Sequence, residues 1–134
     1  MGIPILKMAV VYFLVGIGYG IYMDMTQNFD LKGAHAHINL AGWASMALFG
    51  IIYHHFQSID NALAKVHFWL YNIAMPIFMV SLSFVLVGNL SFVPGIIVGS
   101  NLLGIAVLVF AYNVLFKLKA SNEAKLKQEQ NMQV

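Results

Sequence analysis

At 134 residues, 60 % of them hydrophobic and only 9 % charged, with a mean hydropathy of +0.79, the chain lacks the polar surface that a soluble core of this size needs. Seven lysines, no arginine and five acids leave a net charge of +2, which forms no basic face and argues against nucleic acid as a partner. The absence of cysteine excludes disulfides, iron–sulfur clusters and thiolate zinc sites, so any metal must be held by His, Met, Asp, Glu, Asn or Tyr.

A helix crosses the hydrocarbon layer with about 20 apolar residues, and four stretches meet that length: residues 3–22, 34–56, 66–90 and 92–118. The expected fold is all-α: a polytopic membrane protein with one four-helix transmembrane bundle over residues 1–119 and a polar tail over 120–134. The first stretch lacks a clear small-x-small cleavage site and is read as a mature helix. It carries Gly16 and Gly20 at G-x-x-x-G spacing, a pattern that lets membrane helices approach closely; packing within the protomer is the simpler reading of it. A polar loop over 24–33 follows. The second stretch opens with His35 and His37 and closes with His54 and His55. After a loop over 57–65, the third stretch begins beside His67 and contains Pro76, which removes a helical hydrogen bond and predicts a kink. A tight turn over 88–95 leads into the fourth, where Gly95, Gly99, Ser100 and Gly104 recur. Lys117, Lys119, Lys125 and Lys127 follow it and Lys7 lies early in the first. The positive-inside bias therefore predicts cytoplasmic termini, with the 24–33 loop outside.

Ionisable side chains inside a bilayer are costly and usually mark sites. At about 100° per residue, His35 and His37 point roughly 200° apart, so they serve groups on opposite faces rather than chelating one ion. On that winding the His37 face continues through Ala41, Ala44 and Leu48, and the His35 face through Asn39, Gly42 and Met46. Small residues beside an imidazole leave room for a flat macrocycle with axial nitrogen ligands. The plainer alternative is an interfacial pair hydrogen-bonded to backbone or headgroups. His54 and His55 follow Tyr53 at the membrane boundary and read as anchors; a metal site joining His55 to His67 is a weaker possibility, since two imidazoles do not define a metal. Met23, Met25, Met46, Met75 and Met79 are soft-ligand candidates that more often pack. Tyr19, Tyr22, Asn89 and Asn101 lie near the predicted outer side.

The run from Ala34 through His35, His37, Asn39, Gly42 and Trp43 to Met46, Gly50 and Tyr53 resembles one helix, the tenth, of the catalytic subunit of heme–copper oxidases. The likeness is strongest to the cbb-type oxidases and their nitric oxide reductase relatives. It covers about twenty residues of the 134. The resemblance implies that His35 and His37 are axial ligands of heme b, possible copper nearby, and a bacterial inner-membrane setting. Because the oxidase subunit has twelve helices in three arcs of four, it also implies a homotrimer of this four-helix chain, served by a redox donor or a small gas. The chain departs from that pattern in having no second helix with a histidine set for copper, and no arginine for heme propionates, which leaves Lys32 and backbone donors. Two functions are expected: a heme b membrane protein that transfers electrons or binds nitric oxide or dioxygen, related to oxidoreductases, or a heme-free protein binding copper or zinc through a histidine cluster at an oligomer axis. A purely structural subunit is the third reading.

Overall fold

The computed structural model describes residues 1–118; the polar tail expected over 120–134 lies outside them. Four helices are long and apolar enough to cross a membrane: α1 (Gly2–Thr26), α2 (Lys32–His55), α3 (Ala62–Leu86) and α4 (Val93–Lys117). Their ends are set by polar chemistry rather than by hydropathy. α1 runs four residues past Tyr22, to Thr26, and stops where Gln27 turns left-handed at φ 51° and its N–H donates to the Asp24 carbonyl. α3 begins at Ala62, four residues before Val66, because the Asn61 side chain accepts from the N–H groups of Leu63 and Ala64, the donors that a helix start leaves open. It ends at Leu86 rather than Leu90. Gly88, at φ 96°, reverses the chain, and one 3-10 turn over Leu90–Phe92 leads into α4, with Pro94 in its first turn. Pro is tolerated there because its missing N–H would be unpaired anyway. Helix α3 continues through Pro76, whose ring is on the exposed side.

Short connections make two hairpins, α1 with α2 and α3 with α4. Glycines set their spacing. A Cβ on Gly50 would sit 2.7 Å from Leu6, and one on Gly99 would sit 2.6 Å from the Phe78 backbone. The pair Gly16 and Gly20 faces Asn39 and His35, so this G-x-x-x-G is used inside the protomer. The hairpins join through an apolar core that includes Ile5, Ala9, Ile38, Met46, Met75 and Met79 and through tyrosines. Tyr71 Oη donates to the Ala41 carbonyl at 3.0 Å, Tyr19 and Ser83 share a hydrogen bond of 2.8 Å, and Tyr12 Oη approaches Asn72 Oδ1 at 3.5 Å. Apolar side chains such as Leu14, Leu48 and Leu108 cover the outside, as lipid contact requires.

The middle of α2 departs from α-helical winding. Residues Ile38–Ser45 form a π-helix, in which each bond spans five residues, and Ser45 Oγ donates to the Leu40 carbonyl at 2.9 Å. The wider turn aligns residues four apart: Ala34, Ile38, Gly42, Met46 and Gly50 form the buried stripe. The faces expected from 100° winding are therefore corrected. His35 continues through Asn39 to Trp43, which meets α1 at Gly16 and at Phe13, whose ring lies 4.8 Å from Trp43. His37 leads toward α3 with Ala41 and Phe49, while Leu40 and Leu48 face outward.

Candidate functional site

The two histidines of the H-x-H pair reach different neighbours but share one hydrogen-bond arrangement. His35 is half-buried against α1, and its Nδ1 lies 2.9 Å from the Gly16 carbonyl. A carbonyl only accepts, so Nδ1 carries the proton and Nε2 keeps its lone pair. Asn39 Nδ2 donates to the His35 carbonyl at 2.9 Å, one turn along, and fills the space beside Gly16. Gly20 completes the slot: a Cβ there would come within 3.2 Å of the His35 ring.

His37 is exposed on the protomer surface. Its Nδ1 lies 2.8 Å from the Gly33 carbonyl, one turn back on its own helix, and its ring meets Phe78 of α3 edge-on at 5.5 Å. The same reasoning puts the proton on Nδ1 and the lone pair on Nε2. Among the described residues neither Nε2 has a hydrogen-bond partner. An imidazole whose Nδ1–H is held by a backbone carbonyl is fixed in orientation and tautomer, the state of a metal-ligating histidine.

Cavities of about 270 and 250 Å³ lie beside Tyr19 and Leu31, one also lined by Ser83 and Phe84 and the other by Gly18 and Tyr22. Neither is lined by His35 or His37. His37 is itself exposed, so a group on it would stand on the protomer's open face, with exposed Lys32 at the start of the same helix.

The remaining histidines separate. His54 and His55 are exposed at the far end of α2, where the His55 ring rests on Phe56 at 4.7 Å. His67 is fully buried among Phe49, Tyr53, Tyr71 and Phe110, so its ring neighbours are aromatic and His55 is not among them. Among the described residues no three His, Asp or Glu gather as a metal site within one protomer. Met46, Met75 and Met79 are core residues and Met23 is buried, whereas Met25 is exposed. Asn89 caps the turn before α4 by accepting from Ser91 N–H, and exposed Asn101 donates to its own helix at Ile97.

A second polar cluster has no counterpart among the residues singled out from sequence. Asn113, fully buried in α4, donates from Nδ2 to the Ile59 carbonyl at 2.9 Å and accepts at Oδ1 from Asn61 Nδ2 at 2.9 Å. Tyr53 lies beside it. The one available signal was a second asparagine, after Asn101, in the largely apolar fourth helix, four residues before Lys117.

No family model matches the chain, and no curated protein or solved structure is significantly similar to it.

Proposed function

We propose that this chain is a membrane heme b protein that works as an oligomer, with His37 and His35 as axial ligands through Nε2, and that it transfers electrons or binds a diatomic gas such as nitric oxide or dioxygen. The observation that carries the reading is the shared state of the pair: both Nδ1 atoms are held by carbonyls, and both Nε2 atoms are free. That donor set suits heme iron. The iron would supply a one-electron couple or, with one axial position open, a gas-binding site. The protein's part is to fix the imidazoles. Gly16 and Gly20 admit the His35 ring to α1, Gly33 turns that of His37, and Phe78 supports its edge. Lys32 offers the cation nearest in sequence for an acidic substituent, a role that arginine fills better by bidentate pairing.

His37 opens onto the protomer surface, so a second copy of the chain completes its pocket in this reading. Three copies would assemble twelve helices, the number in the oxidase subunit that the H-x-H helix resembles. A bacterial inner membrane with cytoplasmic termini is the matching placement. The same exposure of His37 also suits three copies meeting around bare copper or zinc.

The test is an absorption spectrum of detergent-purified protein, oxidised and dithionite-reduced, with metal analysis on the same sample. Sharp reduced α and Soret bands are expected, with heme content at least halved by His37→Ala and unchanged by His54→Ala. Equal heme in both variants overturns the assignment of ligands. A colourless protein holding copper or zinc replaces the heme by the metal-cluster reading, and a protein with neither leaves only a structural subunit.

A further inference from the structure

Where α2, α3 and α4 meet near the α2–α3 loop, three buried polar atoms have no hydrogen-bond partner: Tyr53 Oη, His67 Nδ1 and His67 Nε2. Both residues are wholly inaccessible. Buried polar groups left unpaired are rare and call for a partner, the more so inside a membrane.

The imidazole frames the problem. A neutral ring has one N–H donor and one acceptor nitrogen. The donor can be met by an aromatic face, and Phe49 stands at 4.8 Å and 84° to the His67 ring, suited to an N–H···π contact. The acceptor nitrogen has no such outlet, because the other rings around it, Tyr71 and Phe110, offer no free hydrogen: Tyr71 Oη already donates to Ala41. The unused donor nearby is Tyr53 O–H. Its ring lies 5.7 Å from His67, tilted by 46°, and the hydroxyl and imidazole make no direct hydrogen bond. Asn113, beside Tyr53, gives one amide hydrogen to Ile59 and accepts from Asn61; its second amide hydrogen faces Tyr53 Oη as acceptor, which still leaves the Tyr53 O–H to donate. What satisfies both side chains at once is a small molecule that accepts from one oxygen and donates to one nitrogen.

We propose that Tyr53 and His67 form a buried site for one water molecule, which accepts from Tyr53 O–H and donates to His67, closed toward the α2–α3 loop by the Asn61–Asn113 pair. The site places exchangeable hydrogen in the apolar interior and ties α2 to α3 without a direct side-chain bond. It stands independently of the heme reading, which concerns the other end of α2.

Protein labelled with 15N-histidine and reconstituted in lipid nanodiscs tests this by nuclear magnetic resonance, with water itself as the probe and His67→Gln identifying the His67 signals. The expected result is an acceptor nitrogen with a hydrogen-bonded chemical shift that receives magnetisation from water, both features being lost in Tyr53→Phe while the other four histidines keep their shifts. A free-acceptor shift without transfer overturns the proposal. So does a hydrogen-bonded shift without transfer, which would mean that Tyr53 reaches His67 directly. If Tyr53→Phe does not fold, the presence or absence of water transfer in the unmutated protein decides alone.

Discussion

Gly16 does two things at one position: its carbonyl holds His35, and its lack of a side chain lets Asn39 lie against it. A Cβ there would fall 2.6 Å from Asn39 Oδ1, whereas a Cβ on Gly18, two residues on, meets nothing within 4 Å. Gly16→Ala is therefore expected to push α2 from α1, lowering stability by about 1–3 kcal/mol, the usual effect of overpacking, and to disturb the His35 ligand. Gly18→Ala, on an open helix face, is expected to be neutral or to gain up to about 1 kcal/mol. Thermal unfolding in detergent compares the two, and equal melting temperatures would show that the contact is slack. The glycines and the H-x-H pair were legible in the sequence because their spacing is local. Which carbonyl the His35 imidazole takes was not, since Gly16 is nineteen residues from His35 and nothing in a one-dimensional pattern pairs them.

Helix ends and winding belong to the element scale. Counting apolar residues places α3 at 66–90, but the observed helix is Ala62–Leu86: hydropathy measures where lipid is tolerated, while Asn61 decides where helical hydrogen bonding starts. Asn61 also donates to Asn113, so its two roles separate by substitution. Asn61→Asp keeps the acceptor that caps Leu63 and Ala64 but removes the donor; Asn61→Ala removes both. A loss of about 1 kcal/mol for the cap and about 1–3 kcal/mol for leaving buried Asn113 Oδ1 unpaired predicts the order unmutated, then Asp, then Ala. Chemical unfolding read by circular dichroism tests that order; Asp and Ala variants of equal stability would mean that the cap contributes nothing. The π segment escaped the sequence for a related reason. Nothing in Ile38–Ser45 marks it as wider than an α-helix; its carbonyls are met by Ser45 Oγ at Leu40 and, from another helix, by Tyr71 at Ala41.

The whole molecule shows why four helices were readable from composition while the interior cluster was not. Length and hydropathy suffice to count the spans, but Tyr53, His67 and Asn113 lie on three helices and become neighbours only after the bundle closes. The bundle also leaves the ionisable His37 ring on its outside. Under the proposed function a second copy covers it, and assembly and heme loading then depend on one another by mass action. The heme-loaded protein is expected to run as an oligomer, a trimer if the twelve-helix count is rebuilt, when its mass is measured in detergent by light scattering. Removing the heme, or making His37→Ala, should shift that mass toward the monomer, while Asn101→Leu, on the exposed face of α4, separates a general loss of interhelical polar contacts from a loss specific to His37. If the protein stays monomeric with full heme, ligation lies within one protomer and the copy is not needed. If it is oligomeric whether or not His37 is present, the contact between copies lies elsewhere on the bundle.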